Sequence, residues 1–146
     1  MAIKALGSHP DGSPPKPRMN RFPMLFVFVA SLFAGPGLAA EQKAFDPATF
    51  AALQDADKPI LIDVRANWCP TCKKQAPIIS SLLATPEFTG YTLLEVNFDT
   101  QPAVLRQFKV TQQSTLIVFK GKAEKGRSTG DTQKDGIAAL LRKASG

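Results

Sequence analysis

The stretch from residue 60 to residue 73 decides the fold, and it reads Ile-Leu-Ile-Asp-Val-Arg-Ala-Asn-Trp-Cys-Pro-Thr-Cys-Lys. Residues 60–64 form a short apolar run bounded by a proline and a turn, which predicts a buried strand. A helix is expected to begin at residue 70 or 71 and to end at residue 84, because apolar residues recur along one face. Cys69 and Cys72 therefore lie where a buried strand leads into a helix.

This position has a chemical consequence for the two cysteines. The N-terminus of a helix carries partial positive charge and free N–H groups, and both stabilise an anion. The thiolate is the reactive form of cysteine, so we expect Cys69 to be the nucleophile that attacks a disulfide. Cys72, in the first turn, is expected to be the more buried of the two and to resolve the mixed disulfide. The reverse sequence of steps would form disulfides.

Cys69 and Cys72 are the only cysteines in the chain. A bridge that closes so short a loop removes little chain entropy and is a poor structural staple. A tetrahedral zinc site needs four ligands, and the single histidine, His9, lies in a segment that we expect to be removed. We therefore expect no metal site within one chain and no cofactor other than the redox-active Cys69–Cys72 disulfide.

The first forty residues have the composition of a targeting sequence. Residues 1–18 are rich in proline, glycine and polar side chains, which predicts a disordered extension. Arg18 and Arg21 then precede an apolar run over 22–33, a Gly-Pro-Gly breaker and three small or apolar residues ending at Ala40. This is the order of a secretory signal peptide.

Export would place the mature domain, residues 41–146, in an oxidising compartment, which we expect to be the bacterial periplasm. The strongly apolar core over residues 24–34 is shorter than the roughly 20 residues of a spanning helix. Cleavage after Ala39 or Ala40 is therefore expected, with an uncleaved membrane anchor as the alternative. Met19 is an alternative start of the chain.

Composition and charge limit the function classes. The chain has 146 residues and is 44% apolar and 21% charged, as expected for a globular protein. Of the net charge of +6, residues 1–40 carry +3 (four basic residues less one acidic), so residues 41–146 also carry +3. No dense basic cluster with interleaved aromatic residues occurs, which argues against a nucleic-acid partner.

Strands and helices alternate along the mature chain. Asp46 as N-cap and Pro47 predict a first helix over 46–56. Pro77 predicts a kink in the helix that follows the cysteines, and Thr100 is expected to cap a short helix. The further predicted elements are strands over 91–98, 115–119 and 123–128 and helices over 101–108 and 132–144. The order α-β-α-β-α-β-β-α predicts an α/β fold with a central mixed four-stranded sheet and helices on both faces.

The segments 60–63 and 68–73 resemble the thioredoxin family in sequence, order and spacing. The resemblance continues through 95–99 and 115–120 to Gly130 before the last helix, and it covers roughly residues 45–145. It implies a thioredoxin-like fold and thiol–disulfide oxidoreductase activity on protein disulfides or dithiols.

The resemblance assigns roles to individual residues. Cys69 matches the family's nucleophile and Cys72 its resolving cysteine. Trp68 matches the tryptophan that shapes the substrate-docking surface, with a packing role as the alternative. Asp63 matches the buried aspartate beneath the second cysteine, where desolvation would raise its pKa and let it exchange a proton with Cys72. The alternative for Asp63 is a residue that caps the turn.

Two positions depart from the family pattern. Ser114, before Thr115, stands where the family has a cis-proline packed against the cysteines. A cis bond before a non-proline residue costs about 2.5–4 kcal/mol, so the bond is either trans in a reshaped loop or cis under strain. The Ser114 hydroxyl can hydrogen-bond a thiolate. The missing proline also leaves open a metal or iron–sulfur site built from two chains.

Glu95 is the second departure, because thioredoxins often carry a lysine there, near the buried aspartate. Two neighbouring acids disfavour double ionisation and raise one pKa. The alternative is that Glu95 points to solvent as an ordinary strand residue.

The residues next to the cysteines bear on redox direction. Pro70 and Thr71 differ from the Gly-Pro pair of general reducing thioredoxins; Pro70 removes one N–H at the helix start, and Lys73 adds a positive charge. Exported relatives commonly reduce specific partners with electrons from a membrane thiol carrier, so the resemblance favours a reductase over an oxidant or isomerase. An inert binding module and a membrane-tethered subunit of a complex are further alternatives.

Overall fold

The computed structural model describes Gly12 and residues 40–145. The predicted extension, signal peptide and cleavage region therefore lie almost wholly outside the described residues and stay predictions. Among the described residues, no helix has both the length and the apolar character needed to cross a membrane.

Residues 40–145 contain five strands, four α-helices and one short 3-10 helix. In chain order they are β1 (Glu41–Ala44), α1 (Pro47–Asp55), β2 (Pro59–Arg65), α2 (Pro70–Leu83), the 3-10 helix (Pro86–Phe88), β3 (Thr92–Asn97), α3 (Pro102–Gln107), β4 (Thr115–Lys120), β5 (Ala123–Thr129) and α4 (Lys134–Arg142).

The strands form one mixed sheet in the order β1-β3-β2-β4-β5. β1, β3 and β2 are parallel, whereas β4 is antiparallel to both β2 and β5. The predicted fold class is confirmed, but the sheet has five strands where four were predicted. β1 was missed because all four of its side chains are exposed, so its sequence lacks the apolar pattern of a buried strand.

The sheet separates two apolar clusters, as strand alternation requires. One cluster contains Leu61 and Leu93 and packs beneath α2 and α4. The other contains Ile60 and Ile62 on the opposite face, together with residues of α1 and α3. Asp63 is two residues beyond Leu61 and therefore lies on the α2 face of the sheet.

The helix starts test the predicted caps. Asp46 caps α1 as expected, with its Oδ2 accepting the Thr49 N–H at 2.8 Å. The prediction that Thr100 caps the next helix is wrong, because α3 begins at Pro102 with no side-chain cap. The Thr100 N–H instead donates to Asn97 Oδ1 at 3.1 Å, in a turn that the side chain of Asn97 organises. α2 runs from Pro70 to Leu83 with Pro77 inside it, and the kink stays a prediction.

Candidate active site

The two cysteines are at the start of α2, where the sequence placed them. Cys69 is the N-cap residue, and its Sγ accepts the Cys72 N–H at 3.1 Å. The two residues form a disulfide with a Cα–Cα distance of 5.4 Å. Both residues are buried, at 1% and 3% exposed, so the expectation that the Cys72 sulfur is the more buried stays a prediction.

The residues of the first turn of α2 differ in their exposure to solvent. Pro70 is the first helical residue, where its missing N–H leaves no intrahelical bond unmade, and it is exposed. Thr71 is half-buried and Lys73 is exposed. The Lys73 N–H donates to the carbonyl of Cys69 at 3.2 Å, which begins the helical ladder directly at the N-cap residue.

Ser114 lies directly against the disulfide. Its Oγ is 3.1 Å from Cys69 Sγ and 3.3 Å from Cys72 Sγ, and the residue is buried. The peptide bonds of the described residues are all trans, so the reshaped-loop alternative is the one that the structure adopts. Ser114 reaches this position with φ of +60°, in the left-handed region that serine rarely occupies.

Gln75 fixes the loop that carries Ser114, a role that was not predicted from the sequence. Its Nε2 donates to the Ser114 carbonyl at 3.3 Å and to the Asp131 carbonyl at 2.8 Å, and the side chain is buried. The Gly130 N–H also donates to the Ser114 carbonyl, at 2.9 Å. A sequence signal existed, since Gln75 is four residues before Ile79 and interrupts the apolar stripe of α2 with a polar side chain.

Thr115 supports the same loop from the strand side. It is buried, and its hydroxyl donates to the Gln112 carbonyl at 2.8 Å and contacts the Thr129 hydroxyl at 2.9 Å. The hydrogen-bond partners of Thr115 are therefore loop and β5 groups, whereas the neighbouring Ser114 carries the contact with sulfur.

Asp63 is buried on β2 between Glu95 on β3 and Leu116 on β4. The pKa of Asp63 is raised to about 6, chiefly by burial; the charge of Arg65 lowers it, and the charge of Glu95 contributes to the rise. Asp63 Oδ1 is buried and has no hydrogen-bond partner among the described residues, so it does not cap the turn.

Glu95 does not point freely into solvent. It is half-buried and forms an ion pair with Arg65, while Gln42 Nε2 donates to its Oε1 at 2.9 Å. Arg65 was not a candidate in the sequence analysis. An Arg two residues after a buried Asp on the same strand lies on the same face, and this spacing was the available signal.

Trp68 is exposed next to the cysteines. The residue is 57% exposed, which argues against the packing role, and its Nε1 donates to Asp99 Oδ2 at 3.0 Å. Asp99 thus orients the ring, and it is a further site residue that was not predicted from the sequence.

The described residues contain no group of three or more His, Cys, Asp and Glu side chains that could hold a metal ion. What they do assemble is a disulfide at a helix N-terminus, with a hydroxyl against both sulfurs and a buried carboxyl on the strand beneath α2. This arrangement suits the exchange of a disulfide for two thiols.

Comparisons with known proteins agree with this chemistry. The family model described as Thioredoxin matches residues 40–143. A thioredoxin of Mycobacterium bovis is 36% identical over 107 residues, which are 73% of this chain and 89% of that protein. The bifunctional thioredoxin reductase/thioredoxin of Mycobacterium leprae is 35% identical over 68% of this chain, but the match spans only 21% of that larger protein.

A solved structure supports the fold directly. Trxlp from Edwardsiella tarda EIB202 is 40% identical in sequence and matches with a TM-score of 0.68. The match covers 69% of this chain and 98% of that one. The thioredoxin-like fold expected from the sequence is therefore confirmed.

Proposed function

Because this chain belongs to the thioredoxin family, we propose that it is exported and that it reduces disulfides of specific exported proteins through Cys69 and Cys72. Its family and its CxxC pair make it a thiol–disulfide oxidoreductase whose substrates are protein disulfides. The observation that carries the proposed redox activity is the buried Cys69–Cys72 bridge at the N-cap of α2.

The reaction begins with the reduced pair. The thiolate of Cys69, favoured by the N-terminus of α2, attacks one sulfur of a substrate disulfide. A Cys69–substrate disulfide forms, the substrate S–S bond breaks, and the departing substrate sulfur leaves as a thiolate that takes a proton. At this stage one substrate cysteine is a free thiol, and the other is held in the mixed disulfide with Cys69.

Cys72 completes the transfer. Asp63 takes the proton of the Cys72 thiol, and the resulting thiolate attacks Cys69 Sγ. The Cys69–Cys72 bridge forms, the mixed disulfide breaks, and the second substrate sulfur leaves and is protonated. Burial of Asp63 suits this role, because a carboxyl with a pKa of about 6 is a usable proton acceptor near neutral pH.

The surface around the pair suits a protein substrate. The exposed indole of Trp68, fixed by Asp99, supplies an apolar contact beside Cys69. Exposed Pro70 and Lys73 border the same helix start. We propose that these three side chains contact the substrate segment that carries the disulfide.

Export and the electron source rest on the sequence pattern of residues 1–40. The charge, apolar core, breaker and small residues support cleavage by a signal peptidase and a periplasmic location. A membrane thiol carrier would return the Cys69–Cys72 bridge to its reduced form in that compartment.

A second candidate is an oxidant or isomerase, and Ser114 favours it. A hydroxyl within hydrogen-bond distance of both sulfurs stabilises a thiolate, and this makes the reduced pair more stable relative to the disulfide. The two candidates differ only in the sign of the driving force and use the same residues.

Reduction of insulin disulfides by the purified protein, with dithiothreitol as electron source, tests the proposed activity. We expect turnover by the wild type, none by Cys69→Ser and a trapped mixed disulfide with Cys72→Ser. Ser80→Ala, an exposed change on α2, is the matched control and should keep full activity. Absence of turnover by the wild type would contradict the activity.

N-terminal sequencing of the protein recovered from the periplasm tests export. We expect the mature chain to begin at Ala40 or Glu41, and an uncleaved membrane-bound chain would overturn the proposed cleavage.

A further inference from the structure

A polar groove lies at the carboxyl ends of β1, β2 and β3. It is lined by Ala44, Arg65, Asn67, Glu95, Asn97 and Gln101. The side chains of Arg65 and Glu95 are 30% and 28% exposed and form an ion pair in its wall. Solvent therefore reaches a charged pair that is otherwise enclosed by the sheet.

The register of the sheet places this pair next to Asp63. Asp63 and Glu95 are Cα partners on adjacent parallel strands, so their side chains are neighbours on one face. Arg65 is two residues beyond Asp63 and shares that face. Asp63 itself is 4% exposed, and its Oδ1 has no hydrogen-bond partner among the described residues.

The other elements packed around Asp63 add no competing charge close to it. β4 has the uncharged Leu116 opposite Asp63, and Cys72 at the start of α2 is held in the disulfide and carries no charge. Lys73 and Lys74 of α2 are exposed to solvent. Arg65 and Glu95 are thus the charges that act on Asp63 from within the structure.

We propose that Arg65 and Glu95 are a pair of positioning residues that set the charge of Asp63. The proposal rests on the proposed function in one respect, that Asp63 is the base for Cys72. The effect of Arg65 and Glu95 on the charge of Asp63 does not depend on that role.

The two members of the pair act on Asp63 with opposite sign. A carboxylate beside Asp63 disfavours a second negative charge, whereas a guanidinium favours it. Each is also the partner of the other, so removing one leaves the other unneutralised. Glu95→Gln should therefore lower the pKa of Asp63, and Arg65→Gln should raise it. If the ion pair only stabilised the packing of the strands, loss of either residue would change the pKa of Asp63 in the same direction or not at all.

Carbon-13 NMR titration of the Asp63 carboxyl in the oxidised full-length protein tests this without any enzymatic assay. We expect a decrease of roughly half a unit to one unit in Glu95→Gln and a comparable increase in Arg65→Gln. Arg65→Lys keeps the charge and should stay close to the wild type. The matched controls are Glu87→Gln and Arg142→Gln, which break an exposed ion pair between the 3-10 helix and α4 and should leave Asp63 unchanged.

The pH profile of insulin reduction extends the test to the reaction. The acid limb should move to lower pH in Glu95→Gln and to higher pH in Arg65→Gln, because Cys72 needs an ionised Asp63. Shifts of the same sign in both variants, or none, would overturn the inference. If the wild type reduced no disulfide while the NMR shifts kept opposite signs, the control of Asp63 would be supported and the proposed function overturned.

Discussion

Replacing Ser114 with alanine removes the hydroxyl that lies 3.1 Å from Cys69 Sγ and 3.3 Å from Cys72 Sγ. Once the bridge is reduced, this hydroxyl is placed to donate to the thiolate of Cys69. A hydrogen bond to a charged group contributes about 1.5–3 kcal/mol, and we take about 1.5 kcal/mol because sulfur is a weak acceptor. At 1.36 kcal/mol per pH unit this corresponds to about one unit.

Alkylation of Cys69 by iodoacetamide measures the effect. In a Cys72→Ser background only one thiol reacts, and the pH midpoint of the alkylation rate reports its ionisation. We expect Ser114→Ala to raise this midpoint by about one unit. In the intact pair the same loss should lower the reduction potential by about 30 mV, since that is the equivalent of a tenfold change in the equilibrium constant.

Ser114→Gly separates the hydroxyl from backbone strain. Glycine also lacks the hydroxyl but adopts φ of +60° without steric cost, so it relieves a strain of order 1–2 kcal/mol that alanine keeps. The hydroxyl is the cause if both variants shift the midpoint equally while only Ser114→Gly is stabilised. An unchanged midpoint in Ser114→Ala, or a shift in alanine alone, would refute the reasoning.

Three further substitutions probe the site. The pKa of Asp63 is raised in the folded protein from 3.8 to about 6, so its ionisation should lower the free energy of unfolding by about 3 kcal/mol, with no effect below about pH 4 and the full fall once pH has risen above 6. Asp63→Asn should abolish that fall in urea unfolding at pH 4 and pH 7; a fall that persisted would contradict it. Gln75→Leu removes two hydrogen bonds to backbone carbonyls and should cost about 1–3 kcal/mol in the same assay, with no cost counting against its role. Trp68→Ala should change unfolding free energy by less than about 1 kcal/mol, because the ring is exposed, yet slow reduction of a protein disulfide more than of a small one. Equal slowing of both substrates would contradict a docking role.

The sequence predicted most of the secondary structure because apolar periodicity was strong where burial is strong. The buried run of β2 and the apolar stripe of α4 came out within two residues of their predicted ends. β1 has four exposed side chains and joins the sheet through backbone pairing with β3. Backbone pairing does not require apolar residues at particular positions, so it cannot be recognised in the sequence. Its absence from the prediction accounts for the fifth strand.

In the active site, too, the features set by local sequence were predicted and those set by tertiary contacts were not. Spacing along the chain was enough to place Cys69, Cys72 and Trp68 around the start of α2. Spacing along the chain could single out Arg65 and Gln75, but it could not give their contacts, which depend on strand register and on a loop 39 residues away in sequence. The left-handed backbone of Ser114 occurs in a loop whose Ser114 carbonyl is held by Gln75 and Gly130, which is a tertiary effect, whereas the trans bond is the ordinary state before a non-proline residue.

Redox titration of the Cys69–Cys72 pair tests the central claim most directly. The protein would be equilibrated in glutathione and dithiothreitol buffers of known potential, quenched by alkylation and analysed by mass, with Cys69→Ser as the control that cannot form the bridge. We predict one reversible two-electron transition at or below about −230 mV, as for a reductant of exported disulfides. A midpoint near −120 mV, roughly that of a strong oxidant, would contradict the reductase assignment. The absence of any reversible transition would contradict the redox function itself.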